Sequence, residues 1–197
     1  MSAEAPAELP SRLRLPFAFD ASALAAEALA FDESEWRKHF NKAHYEGDWS
    51  GIPLRSPHGR PTLAPDPYGS APCADTPQLG RCPAIRAVLA KIGCETRSVR
   101  LLRLGSGARI LEHQDYNIGV DYGVVRLHIP AITGPGVEFV LGGKPLHMRA
   151  GECWYVDVWN THTVMNPGSG PRIHLVVDCV LDPAFLKILV AAIPRPA

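Results

Sequence analysis

The sequence has no excess of either charge: Lys plus Arg and Asp plus Glu number 20 each. Nucleic acid and anionic membranes call for a basic surface, so neither is expected as a partner. No stretch approaches the ~20 apolar residues that span a bilayer. The opening residues, MSAEAPAELPSRLRL, lack the basic start and apolar run of a secretory signal. The five cysteines form an odd set without a CxxC pair, which argues against a disulfide framework and against a four-cysteine zinc site. Cys153 and Cys179 sit inside apolar runs and are expected as core thiols. There is no internal repeat. These absences predict a reduced, cytoplasmic protein.

What is present is a globular composition, 46% hydrophobic and 20% charged over 197 residues, enough for one domain with a sizeable core. The chain changes character near residue 95. Before it, ASALAAEALAF (21–31) reads as a helix. DESEWRKHF follows, with Asp32 or Ser34 placed to cap a second short helix. Residues 47–79 carry prolines at 53, 57, 61, 65, 67, 72 and 77, which argue against long regular elements. A loop of that length in a compact domain is expected as a lid or pocket wall. CPAIRAVLAKIG (82–93) reads as a helix stopped by Gly93.

After residue 95 come short apolar runs punctuated by Gly, Pro and Asn: 98–104, 108–116, 123–131, 137–143, 145–150, 152–158, 161–166 and 172–180. Such a train predicts strands of a sandwich or barrel, and DPAFLKILVAAI closes the chain as a helix. The expected fold is mainly β with flanking helices, a double-stranded β-helix or jelly roll of the cupin-like kind. Its organisation is a helical and looping region with a lid (1–95), a catalytic core (96–182) and a C-terminal helix (183–197), together one domain.

Within ILEHQDYN (110–117), His113 and Asp115 are two apart, and side chains two apart on a strand share a face. Such a pair is either a polar strand edge or half of a metal site. His162, 49 positions on, supplies a third ligand if the fold brings its strand alongside. Two imidazoles and one carboxylate on one face, with other positions open, form the facial triad of non-haem Fe(II) oxygenases. Asn166 and Trp159 are candidates to hold His162 from behind.

Arg172 opens the strand RIHLVVDCV ten positions after His162. An arginine among apolar neighbours needs an anion, and its fork suits a carboxylate. That carboxylate is either Asp178, on the same strand face, or a bound co-substrate. Arg126 and His128 form a second polar pair two apart within GVVRLHIPA. Together these groups line a barrel interior with cationic and imidazole side chains, which calls for a metal and an anion.

The segments HQDY, RLHIP, AGECWYVDVWNTHTVMN and PRIHLVVDCV, in that order and spacing, resemble the aspartyl/asparaginyl β-hydroxylase family of Fe(II)- and 2-oxoglutarate-dependent dioxygenases. Bacterial proline cis-4-hydroxylases share the pattern. The resemblance is continuous over roughly residues 98–182, and HYEGDWSGIPLRSP (44–57) extends it upstream. It implies Fe(II) on His113, Asp115 and His162, and 2-oxoglutarate held by Arg172 at its distal carboxylate. Arg126 and His128 would lie at its metal-proximal end. The animal aspartyl hydroxylases have glycine where this chain has Asp115, so the resemblance is closer to the proline hydroxylases. A small-molecule or short-peptide substrate and O₂ are the implied partners. His44, Asp48, Trp49 and Arg55 are the candidate substrate contacts, with Arg55 for a carboxylate and Asp48 for an amine. Two other readings compete: a cupin-like metal-binding or sensing module without oxygenase activity, and a zinc hydrolase on the same triad. The first gives Arg172 no purpose, and the second lacks an obvious free carboxylate as base.

Overall fold

The computed structural model describes residues 9–66 and 69–194. Pro67 and residues 195–197 lie outside them, as does the start of the 1–15 segment. The strands from the first half are β1 (Arg12–Ala18), β2 (Arg37–Lys38), β3 (Tyr45–Glu46), β4 (Trp49–Pro57) and β5 (Cys73–Asp75). Those from the second half are β6 (Thr96–Leu104), β7 (Arg109–His113), β8 (Val124–Ile132), β9 (Glu138–Leu141), β10 (Lys144–Pro145), β11 (Glu152–Val156), β12 (His162–Met165) and β13 (Arg172–Val180). Three helices flank them: α1 (Ala21–Leu29), α2 (Pro83–Ile92) and α3 (Pro183–Ala191).

Two antiparallel sheets face each other. The larger runs β1-β11-β8-β13-β6-β4-β2 with β5 on β4, and the smaller runs β10-β9-β12-β7-β3. This is the jelly roll expected from the strand train. Strand alternation sorts the two faces of the large sheet. On β13, Ile173, Leu175, Val177 and Cys179 join the core under the helices, with Leu24, Ile85, Phe185 and Leu189. The other parity carries Arg172, His174, Val176 and Asp178 into the space between the sheets, where a second, smaller core gathers Trp49, Leu104, Ile110, Phe139 and Val164. The polar groups of the barrel therefore sit on an inward face.

The helices are anchored by local chemistry. Asp20 Oδ1 accepts from Ser22 and Ala23 N–H to start α1, and the Glu27 carboxylate accepts from Ala84 and Ile85 N–H at the start of α2. Gly93 ends α2 in the left-handed region at φ 73°, a conformation that glycine adopts without strain. All five cysteines are free, with Cys153 and Cys179 fully buried. Among the described residues no helix is long and apolar enough to cross a membrane.

Four local expectations are corrected. The first 95 residues are not only helix and loop, because β1 and β4 are strands of the large sheet. β4 carries Pro53 and Pro57 without losing its place: the register slips between Pro53 and Arg55, and Pro57 is its last residue, positions where a missing N–H is tolerated. Residues 33–35 form a single 3₁₀ turn, not a second α-helix, and the chain enters β2 directly after it. Of 145–150 only Pro145 is in a strand. β7 ends at His113, so Asp115 lies in the irregular segment beyond it.

Candidate metal and anion site

β7 and β12 are neighbours in the small sheet, and their register sets His162 directly opposite His113. The two rings lie 4.2 Å apart, centre to centre. Asp115 is held beside them by its backbone, which donates to Val158 O at 2.9 Å. One ligand atom from each of His113, Asp115 and His162 falls within 4.8 Å of the others. The sequence expectation that these residues converge therefore holds, although an irregular segment places the carboxylate and not the pleat of a strand.

Both imidazoles are oriented by backbone. His113 Nδ1 is 2.8 Å from Leu111 O and His162 Nδ1 is 3.0 Å from Asn160 O. A carbonyl only accepts, so each Nδ1 carries a hydrogen, and Nε2 is the ring atom that each histidine turns toward the other ligands. Burial, then the neighbouring His113, pulls His162 down to about 4, which keeps it neutral at physiological pH. The group behind His162 is thus the Asn160 carbonyl. Asn166 instead donates to the carbonyls of Leu104, Gly105 and Gly170, and Trp159 is an exposed ring beside Tyr116 and Tyr122.

Burial alone would raise Asp115, but the neighbouring guanidinium groups, Arg126 foremost, outweigh it and hold the carboxyl below its ordinary value. Arg126 Nη1 donates to Asp115 Oδ2. Its Nε and Nη2 donate to the two oxygens of Asp178 at 2.6 and 3.0 Å, and Arg100 Nη2 reaches Asp178 Oδ2 at 2.8 Å. Asp178 is opposite Arg126 in the β13–β8 register. It is 1% exposed and fully engaged by these two arginines.

Arg172 is therefore left without Asp178. The two residues share a strand face but are six positions apart, about 20 Å along an extended strand. Arg172 is 3% exposed. Its Nη2 donates to His174 Nδ1 at 3.0 Å, its Nε has no partner, and its guanidinium is 6.0 Å from the centre of the Phe139 ring. Among the described residues no carboxylate lies within ion-pair distance of it, and burial alone pulls it down to about 9. His128 is buried beside His174, Nδ1 to Nδ1 at 3.4 Å. Burial, then Arg172, holds His128 well below its ordinary value.

A cavity of about 360 Å³ joins these groups. Its walls include the triad, Arg100, Arg126, His128 and Arg172, with Phe139 between the small-sheet histidines and Arg172. Of the four candidate substrate contacts, His44 and Trp49 line it, whereas Asp48 and Arg55 do not. Asp48 precedes β4 and pairs with Lys38 at 2.5 Å and Arg103 at 3.5 Å. Arg55 follows the slip in β4 and pairs with Asp75 at 2.7 Å and Thr96 Oγ1 at 3.1 Å. Of the proline-rich segment, Trp49 and Pro65 reach the cavity wall, and Leu63 O accepts from Arg100 at 3.1 Å.

Sequence reasoning passed over Arg100, His174 and His39. Arg100 stands at the inward parity of β6, and that parity within an apolar strand was the available signal. His39 stacks on Trp49 with ring centres 3.5 Å apart. Burial, then Arg100, pulls it down to about 3. Nothing in its surrounding sequence marks it.

Comparison with known proteins places this geometry in context. L-proline cis-4-hydroxylase of Rhizobium meliloti (strain 1021) is 27% identical over 165 residues, covering 81% of this chain and 57% of that relative. The chain thus spans little more than half of that relative's length. Two solved structures share the fold. A 2OG-Fe(II) oxygenase family oxidoreductase from Burkholderia pseudomallei aligns at TM-score 0.56 and 18% identity, over 87% of this chain and 86% of its own. A Pseudomonas putida prolyl-4-hydroxylase aligns at TM-score 0.53 and 14% identity, over 87% and 93%. The family model described as aspartyl/asparaginyl beta-hydroxylase matches residues 19–181, and the chain belongs to that family.

Proposed function

We propose that the protein is an Fe(II)- and 2-oxoglutarate-dependent dioxygenase that hydroxylates a free amino acid such as proline, or a short peptidyl substrate. The observation that carries the reading is Arg172, a buried cation without a carboxylate partner on the same cavity as two imidazoles and a carboxylate. Removing a charge from water without compensation costs several kcal/mol, on the order of 3–5 when one partner of a buried pair is missing. A dianionic co-substrate supplies the compensation when it binds.

The residues divide the work. His113, Asp115 and His162 fit a divalent iron, since their donor atoms are the two-nitrogen, one-carboxylate set that leaves open positions. Arg172 takes the distal carboxylate of 2-oxoglutarate in a geometry set by His174. His128 and Arg126 stand on the metal side, with Arg126 also fixing Asp115. The chemistry that iron and 2-oxoglutarate supply when bound is O₂-dependent C–H hydroxylation, with succinate and CO₂ as co-products. The protein orients the reactants and keeps water out. A bare metal-holding module has no use for Arg172, which favours the oxygenase reading over the cupin-like one.

The test is the visible spectrum of the protein with Fe(II) and 2-oxoglutarate under nitrogen. Chelation of the keto acid by iron gives a weak charge-transfer band; Arg172→Ala weakens its formation and His162→Ala abolishes it. Bound iron without the band overturns the reading in favour of a metal-binding module.

A further inference from the structure

Arg172 is a wall of two cavities. A second cavity of about 380 Å³ shares Arg172 and Phe139 with the first and touches no residue of the triad. It is formed by the turn after β8 (133–137), the segment between β10 and β11 (146–150) and the start of β13. Phe139 and Arg172 are thus a common partition, with the guanidinium 6.0 Å from the ring centre.

The charge of the second cavity has one sign. Its titratable groups are Arg149, Arg172, His147 and His174, and no carboxylate lines it among the described residues. Glu152 is engaged outside the wall: its carboxylate accepts from the Arg149 N–H at 3.0 Å and the Trp154 indole at 2.8 Å, and pairs with Arg14 at 3.4 Å. Arg149 and His147 are exposed, whereas Arg172 is 3% exposed and its Nε has no partner. The buried side chains of Leu146 and Met148 supply apolar wall. A cleft with cations at its rim and base and low-dielectric sides focuses field lines onto an anion. Its innermost group is a buried donor that lacks an acceptor.

We propose that the second cavity is a separate anion port, through which the dicarboxylate co-substrate reaches Arg172 and its dicarboxylate product leaves. This rests on the oxygenase reading above and adds a route to it. With the triad-side opening alone, a primary substrate seated over the triad would block the way, so the co-substrate would have to enter first and its product leave last. The port removes that constraint. Arg149 and His147 collect the anion, and the Phe139 ring is the partition it passes.

Stopped-flow mixing of the Fe(II) protein with 2-oxoglutarate under nitrogen tests the port, with the charge-transfer band as signal and Kd from its amplitudes. Ala150→Trp crowds the second cavity at an exposed wall position. A residue on a route but outside the site alters only the barrier, so association and dissociation should both slow by about 10-fold with Kd within about 2-fold. Arg149→Glu, a charge reversal at an exposed position, keeps the test valid if Ala150→Trp does not fold. It should slow association about 3- to 10-fold in about 20 mM salt, and the difference should vanish near ~1 M, where the Debye length is ~3 Å. Pro65→Trp crowds the wall of the first cavity instead and should leave both rates within about 2-fold of the wild type.

The port is overturned if Ala150→Trp and Arg149→Glu bind 2-oxoglutarate at wild-type rates, or if Pro65→Trp is the variant that slows exchange. It is also overturned if Ala150→Trp changes Kd by as much as it changes the association rate. Failure of the oxygenase reading appears separately, as no band from the wild type. Exchange broadening of ¹³C-succinate on the metal-free protein then reads the same rates in the same variants.

Discussion

At the residue scale, the molecule is organised by who neutralises whom. Arg126 and Arg100 share Asp178, and Arg172 faces the cavity alone. Two opposite effects follow from replacing Arg172 with leucine. The ligand-free protein should gain on the order of 1–3 kcal/mol, because a buried unpaired charge is exchanged for an apolar side chain of similar volume. The apparent affinity for 2-oxoglutarate should fall by about 100-fold or more, because a bidentate charged contact is lost. Chemical denaturation and 2-oxoglutarate titration on the same variant read both. A variant that is less stable than the wild type contradicts the claim that Arg172 lacks a carboxylate partner.

The buried histidines make a second prediction at this scale. His39 is pulled down to about 3, and His128 and His174 lie well below their ordinary 6.5, with burial as the largest cause in each. In the unfolded chain all three take up protons as pH falls through 6.5; in the folded protein they resist. Folded-state pKa values are depressed, so the stability they contribute is complete above the unfolded value and is lost as pH falls toward 3. The expected slope between pH 6.5 and 4 is up to ~1.4 kcal/mol per pH unit for each histidine. Urea unfolding across that window should show it, and His39→Phe should lower the slope by one histidine's share, up to ~1.4 kcal/mol per pH unit. A flat profile in the wild type would mean that these rings are solvated.

At the scale of elements, legibility followed strand pattern. β13 runs from Arg172 to Val180 as its alternation and flanking Pro and Gly indicated, and α2 stops at Gly93 as read. β4 was hidden by its prolines, since the slip that accommodates Pro53 is a tertiary feature with no mark in local sequence. Gly51 shows how tightly β4 packs. A Cβ there would stand 2.7 Å from Leu101 O and 2.8 Å from Leu102 Cδ2. Gly51→Ala should therefore destabilise the protein by about 1–3 kcal/mol through overpacking, measured as a lowered midpoint in thermal unfolding. An unchanged midpoint would show that β4 is free to move away from β6.

The candidate site was legible for the same reason and only to the same depth. His113 and Asp115 could be picked out by their spacing of two and His162 by the family resemblance, whereas the adjacency of the two histidines across the small sheet is a product of the fold. Arg172's isolation was not legible. Sharing a face with Asp178 suggested a pair, and only the cross-strand register reveals that Asp178 lies opposite Arg126. Asp48 and Arg55 were grouped with Trp49 by proximity in sequence, yet Asp48 precedes β4, Arg55 lies within it beyond the slip, and both are held in ion pairs away from the cavity that Trp49 lines.

At the scale of the whole molecule, the two sheets separate functions. The small sheet supplies His113 and His162, the large sheet supplies the arginines with His128, and the cavity between them sets the triad against Arg172. The helices seal the outer face of the large sheet and leave the other end of the roll to the residues around His39, His44 and Pro65. This division makes the oxygenase reading a statement about one cavity with two ends. The most direct measurement is succinate formed from 2-oxoglutarate under ¹⁸O₂ by the Fe(II)-loaded protein with a panel of amino acids headed by L-proline as the hydroxyl acceptor, and His162→Ala as control. The account predicts succinate carrying one ¹⁸O atom from the wild type and none above background from the control. Equal succinate from both, or none from either despite bound iron, would contradict it.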